Sequence, residues 1–206
     1  MQLLANTTSP YVRIARVSLI EKGLDIPPTV VDPWADDVRL RAANAATRVP
    51  TLVLDDGTPL AESMAIVMWL ESTRPAPAHA SLIGSDAAGV LSRAGVALGV
   101  IDAAVHTIII RKVTAPVLFD ETPVGLRRRR TMAEGMQRLE ALAAAQPMDR
   151  GAAPSLDAIC AVTAIDYLNF RFTDAPWLPP MPALNALSQR LRARPSFAQT
   201  MPFVAS

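Results

Sequence analysis

The feature that most constrains this chain is a change of hydrophobic period near residue 75. Before it, short apolar runs alternate between strand and helix spacing; after it, apolar positions recur every three or four residues over long stretches broken by proline clusters. Residues 74–81, between the two, hold two prolines and three alanines with few anchoring groups, the composition of an extended linker. The chain therefore reads as two domains, 1–75 and 85–206, joined at 76–84.

In the first domain, Gln2 to Ala5 reads as a strand. Pro10 sits where a helix's first turn tolerates a missing N–H, with Val12, Ala15 and Leu19 at helical spacing behind it and Lys22-Gly23 to close the helix. Thr29 to Val31 suits a second strand, and Asp36 to Ala43 a helical turn. Thr51 to Leu54 and Thr58 to Ala61 flank Asp55-Asp56-Gly57, a hairpin signal. Ser63 is then placed to cap a helix that ends near Arg74-Pro75. The order is βαβαββα. In the second domain, Ala94, Leu98, Ile101, Val105 and Ile108 mark one long helix, and Met132, Met136, Leu139 and Ala143 a second. Ser155 to Phe172 is apolar on nearly every face and predicts a central buried helix, with shorter helices at Ala183 to Arg192 and Phe197 to Thr200.

Charge and composition narrow the function. The formal net charge is +1. Asp102, His106, Asp157 and Asp166 interrupt the greasiest regions before they reach the roughly 18 residues of a membrane span. With no secretory signature at the start, a cytoplasmic protein without membrane association is expected. The single cysteine, Cys160, fits a reducing compartment and reads as a small buried hydrophobe. One cysteine and two distant histidines give no basis for a metal. The run Arg127 to Arg130 has Asp120, Glu121 and Glu134 nearby and no interleaved aromatics, so it reads as a solvated helix face and not a nucleic-acid patch.

Three local motifs carry chemistry: Thr8-Ser9-Pro10-Tyr11-Val12-Arg13, Arg48-Val49-Pro50-Thr51-Leu52, and Glu62-Ser63. With the buried helix from Ser155 and the ending Arg194-Pro195-Ser196-Phe197, their order along the whole chain resembles the glutathione transferase superfamily, in particular bacterial cytosolic members with a Ser-Pro-Tyr motif. The resemblance implies a thioredoxin-like N-terminal domain followed by an α-helical bundle. It also implies glutathione as co-substrate, a homodimer, and a detoxifying conjugation of glutathione to a small electrophile.

Only a thiolate is a good nucleophile, and a free thiol has a pKa near 8.5, so such an enzyme must favour the anion. Ser9 lies just before a helix N-terminus, where unpaired N–H groups favour negative charge and its hydroxyl can donate to sulfur. It is equally placed as an ordinary N-cap, and the two roles can coexist. Some branches of the superfamily put the active serine directly before the proline and others one residue earlier, so Ser9 is the first candidate and Thr8 the second. By resemblance the Val49-Pro50 bond is cis and the Val49 backbone receives the cysteinyl segment of glutathione. A trans Pro50 opening a strand is the alternative on local sequence. Arg48 is a candidate for the glycyl carboxylate or a solvated base. Ser63 would hold the γ-glutamyl carboxylate and Glu62 its ammonium. The family approach Asn-Pro-X-Gly-Lys-Val-Pro is altered here to Asn44-Ala45-Ala46-Thr47-Arg48-Val49-Pro50, which predicts a differently shaped loop.

The electrophile is expected between the domains, near Tyr11, Val105, His106, Ile109 and Ile110. His106 reads either as a group orienting the electrophile or as a packed residue. The alternatives to a transferase are a non-catalytic binding or regulatory protein with this fold, and a glutathione-dependent peroxidase or reductase.

Overall fold

The computed structural model describes residues 1–116, 118–146, 148–149 and 153–204. Its elements run β1 (Gln2–Ala5), α1 (Pro10–Glu21), β2 (Pro28–Val30), α2 (Val38–Ala43), β3 (Thr51–Val53), β4 (Pro59–Ala61), α3 (Ser63–Thr73), α4 (Ala87–Thr114), a 3-10 turn at Phe119–Glu121, α5 (Pro123–Ala145), α6 (Leu156–Arg171), α7 (Pro182–Leu191) and α8 (Pro195–Ala198). This is a thioredoxin-like βαβαββα domain followed by helices, the architecture the resemblance implies.

By contacts the chain forms two compact units, Met1–Leu82 with Arg192–Ser206, and Ile83–Leu191. The expected domain limits are therefore corrected at the far end, because the segment from Arg192 returns to the first unit. Arg194 binds both carboxylate oxygens of Glu21, at 2.9 and 2.7 Å, and Ser196 Oγ donates to the same carboxylate at 2.5 Å. Phe197 is fully buried, with the Arg13 guanidinium 6.0 Å above its ring.

The first unit is built on a four-stranded sheet ordered β2-β1-β3-β4. β1 pairs parallel with β2 and antiparallel with β3, and β3 pairs antiparallel with β4. Strand alternation divides β1 between two cores. Leu3 and Ala5 pack with Val12, Ala15 and Leu19 of α1, with Leu52, and with Ile66 and Leu70 of α3. Leu4 packs on the other face with Val31 and with Leu40 of α2. α2 is shorter than expected because Asp36 has a φ of 54° and Asp37 takes the N-cap, accepting from Arg39 N at 2.9 Å. The Arg39 side chain on that carboxylate pulls the Asp37 pKa down to about 2.

Lys22 does more than close α1. It is fully buried, with Nζ 2.6 Å from Glu71 Oε1 and 3.0 Å from the Arg74 carbonyl. Glu71 also accepts from Ser81 Oγ at 2.7 Å and Leu82 N at 3.0 Å, which fastens the chain beyond α3 to the helix. Burial alone would raise the Glu71 pKa, but the bonds from Lys22, Leu82 and Ser81 together hold it below its ordinary value.

In the second unit α4 packs on α5 and α6, and α7 packs on α5 and α6. α6 is buried from Leu156 through Leu168, as its uniformly apolar sequence predicts. On α4 the buried face runs through Ala94, Ala97, Val100, Ile101 and Ala104, while Leu98, Val105 and Ile108 are only half-buried. The small residues let α5 approach closely: a Cβ on Gly135 would lie 2.4 Å from Val100 Cγ2. Ser155 is the N-cap of α6 without a capping side-chain bond; its hydroxyl donates instead to the Met148 carbonyl at 3.1 Å and to Asp157. Asp157 is buried and pairs with Arg93 at 2.5 Å. By length and composition α4 could cross a membrane, although 39% of its most apolar window is buried inside the fold.

The altered approach to Val49-Pro50 is organised by Asn44. Its Nδ2 donates to the Arg48 carbonyl at 3.2 Å and to Thr51 Oγ1 at 3.1 Å, and its Oδ1 accepts from Ala46 N at 2.9 Å. Thr47 stands where the family motif has glycine and adopts a φ of 50°, a conformation that a β-branched residue enters only with strain.

Lys22→Met should destabilise the protein by about 3–5 kcal/mol at neutral pH, because it leaves Glu71 without its buried partner. A urea titration that finds no loss would contradict this. Glu71's folded pKa lies below its unfolded value, so its stabilisation is full above the ordinary glutamate pKa of about 4.3 and is lost as the pH falls through the folded value. In Lys22→Met that acid loss should shrink, since burial is then opposed only by the bonds from Leu82 and Ser81. Thr47→Gly should raise stability by about 1 kcal/mol by relieving the positive φ, whereas Thr47→Ala should not; thermal melts distinguish them.

Candidate functional site

The strand register brings the three sequence motifs to one edge of the sheet. Ala5 faces Val30 in the parallel pair, Leu4 faces Thr51, and Thr51 faces Ala61. The end of β1, the end of β2, the start of β3 and the end of β4 therefore lie together. From that edge emerge Asn6 to Ser9, Val31 to Asp37, Arg48 to Pro50, and Glu62-Ser63. Carboxyl ends of strands at such an edge are where open α/β sheets place ligands.

Ser9 is the N-cap of α1: its Oγ accepts from Val12 N at 3.3 Å, and its own N–H donates to Asn6 Oδ1 at 2.9 Å. Among the described residues nothing accepts the Ser9 hydroxyl proton. One lone pair is thus used by the helix while the O–H remains able to donate outward, so capping and thiol contact are compatible. Thr8 is half-buried beside it.

The Val49-Pro50 bond is cis. Val49 lies before the β3 ladder, and among the described residues its N–H and C=O have no partner, leaving both for an added strand. Glu62, and not Ser63 as the sequence suggested, is the N-cap of α3. Its carbonyl accepts from Ile66 N at 3.2 Å, its φ is 74°, and its side chain makes no capping bond. Ser63 is the first residue of the helix and is 3% exposed. The first N–H groups of α3 are thus uncapped at the edge, a setting that favours an anion. Arg48 Nη1 lies 3.3 Å from Glu62 Oε1, an ion pair whose side chains are 70% and 55% exposed, joining two of the motifs directly.

The segment after β2 went unrecognised in the sequence. Asp32 folds it into a turn, its Oδ1 accepting from Trp34 N at 2.8 Å, and Trp34 is half exposed at this same edge. The signal available was Asp32-Pro33, a turn-forming pair before an aromatic residue.

The residues expected around the electrophile divide between the units. Tyr11 is half-buried on the first turn of α1. Val105, Ile109 and Ile110 are half-buried on α4, and His106 is exposed there with Nδ1 3.3 Å from Arg128 Nη1. An arginine only donates, so in this contact Nδ1 is the acceptor. Cys160 is fully buried, and burial first, then the Asp157 charge, pushes its thiol pKa far up; it is no nucleophile. Among the described residues no group of three or more His, Cys, Asp or Glu side chains is placed to hold a metal.

Comparisons with known proteins bear on the same motifs. Residues 8–73 match the family model described as glutathione S-transferase, N-terminal domain. The chain is 28% identical over 202 residues to an uncharacterised GST-like protein, YibF, of Escherichia coli strain K12, covering 98% of each. It is similar to a glutathione S-transferase from Methylobacillus flagellatus with glutathione bound, at a TM-score of 0.84 and 27% identity, over 98% of this chain and 99% of that one. A glutathione S-transferase from Methylobacterium radiotolerans in complex with glutathione sulfonate superposes at a TM-score of 0.88 with 31% identity, over 100% of this chain and 96% of the other. With that identity over the full length, and with the fold and the three motifs gathered at one sheet edge, the chain belongs to the glutathione transferase superfamily.

Proposed function

We propose that this protein is a glutathione S-transferase that holds glutathione as a thiolate and conjugates it to a small, partly apolar electrophile. The observation that carries this reading is the free donor at Ser9, set beside the unpaired Val49 backbone and the uncapped start of α3. A tripeptide laid along the edge would meet a hydroxyl for its sulfur, strand-like partners for its cysteinyl segment, and helix N–H groups with Ser63 for its γ-glutamyl carboxylate. Glu62 would face the ammonium and Arg48 the glycyl carboxylate. Both are occupied with each other, but an exposed ion pair is worth about 0–1 kcal/mol, so a zwitterionic ligand can take it apart at little cost.

The chemistry follows from the donor. A hydrogen bond to an ionised group contributes about 1.5–3 kcal/mol, which corresponds to a thiol pKa about one to two units lower. The thiolate sulfur attacks the electrophilic carbon, the leaving group departs with the bonding electrons, and a thioether remains. Tyr11, on the first turn of α1, would face the electrophile. Asn44 orders the altered loop at Ala45 to Arg48 and Thr47 takes its positive φ, which supports the transferase reading over a binding-only protein. We place the enzyme in the cytoplasm as a homodimer, with the outward face of α3 (Met64, Ala65 and the 68% exposed Met68) against a second copy.

With glutathione bound, the ultraviolet absorbance of the thiolate titrated against pH should show the depressed pKa. Ser9→Ala should return it upward by about one to two units and cut turnover with aryl halides, while Thr8→Ala should do neither. The reverse pattern would transfer the role to Thr8, and a wild-type protein without thioether formation across a panel of electrophiles would end the transferase reading. Met68→Asp should shift sedimentation from dimer to monomer; an unchanged dimer would exclude this face.

A further inference from the structure

The segment from Arg194 onward, α8 included, is bound along α1 from one end to the other. It begins at Glu21, in the last turn of α1, with the paired bonds from Arg194 and the bond from Ser196. Phe197 is buried under Arg13, near the start of the same helix. Thr200 is 4% exposed and its Oγ1 donates to the Ser196 carbonyl at 2.7 Å, tying the residues just past α8 to the helix. Met201 Sδ then accepts from Arg13 Nη2 at 3.3 Å. Finally Phe203 N donates to the Thr7 carbonyl at 3.3 Å. The segment thus arrives at the loop that carries Thr8 and Ser9, bonded two residues before the proposed thiol contact.

What it carries there is apolar and uncovered. Phe203 is 56% exposed and Val204 is 69% exposed, while Phe197, earlier in the same segment, is entirely buried. The anchoring of residues 194–201 accounts for the buried residues of this segment and leaves Phe203 without a packing role of comparable weight. An exposed aromatic side chain whose backbone is bonded to Thr7 is suited to meet an apolar substituent on a sulfur held by the Thr8–Ser9 loop.

We infer that Phe203 is a specificity-determining residue that contacts the aryl or alkyl group transferred to glutathione, favouring electrophiles with an aromatic or extended apolar portion. The inference rests on the reading that the Thr8–Ser9 loop holds the glutathione sulfur. It does not require turnover, since the finished thioether presents the same group.

The full chain and its Phe203→Ala and Phe203→Leu variants would be titrated calorimetrically with glutathione and with S-benzylglutathione. Phe203→Ala should weaken S-benzylglutathione about five- to tenfold while leaving glutathione affinity within about twofold, and Phe203→Leu should fall between, as expected for loss of one aromatic contact. Equal affinities for S-benzylglutathione in wild type and Phe203→Ala would overturn the assignment. So would a parallel loss for both ligands, which would mark Phe203 as a prop for the loop. A wild-type protein that binds glutathione but gains nothing from the benzyl group overturns this inference alone, whereas one that binds neither ligand overturns the glutathione reading beneath it.

Discussion

The pairing of β1 with strands on both sides is the constraint from which the rest of the site follows. β1 is short, yet Leu3, Leu4 and Ala5 are all essentially inaccessible to water, two facing α1 and α3 and one facing α2. A slip of one residue in either register would exchange these faces and separate Leu3 and Ala5 from the core they share with Ile66 and Leu70. The same register decides which strand ends lie together. Because β2 is parallel to β1 while β3 is antiparallel, the segments after β1 and β2, the segment before β3 and the segment after β4 share one edge. Core packing and ligand site are thus consequences of one hydrogen-bonding pattern.

Around that edge the backbone departs from relaxed geometry where function is proposed. Thr47 and Glu62 both have positive φ without being glycine; the first directly precedes a motif and the second opens one. Such conformations persist only when neighbours over-determine them. For Thr47 the neighbour is Asn44, which ties together the Arg48 carbonyl, Thr51 and Ala46. For Glu62 it is the start of α3, where the residue's carbonyl must serve the first helical turn while its side chain turns out to solvent. A Ser, Thr, Asp or Asn at this position could cap the helix and occupy the N–H groups that a γ-glutamyl carboxylate would use.

Much of this was legible in the chain because the signals are local. Pro10 after Ser9, Asp-Gly between two short apolar runs, and the uniformly apolar stretch from Ser155 fixed elements whose observed limits differ by only a residue or so. What stayed hidden depends on partners distant in sequence. Nothing near Lys22 announces that Glu71 will bury it, and nothing near Arg194 points to Glu21. The phase of α4 is hidden for a different reason. The larger side chains Leu98 and Val105 attract attention as core residues, but the helix buries its alanines, because close approach to α5 rewards small side chains over large ones. At Glu62-Ser63 the serine was the obvious cap by residue type; only the positive φ of the glutamate, which no propensity announces, moves the helix boundary by one.

The most direct test of this account is a crystal structure with glutathione bound. The account places the sulfur within about 3.5 Å of Ser9 Oγ, the cysteinyl backbone on Val49 and the γ-glutamyl carboxylate at the first turn of α3. A tripeptide seated away from that sheet edge, or a sulfur beyond reach of both the Ser9 and Thr8 hydroxyls, would contradict it.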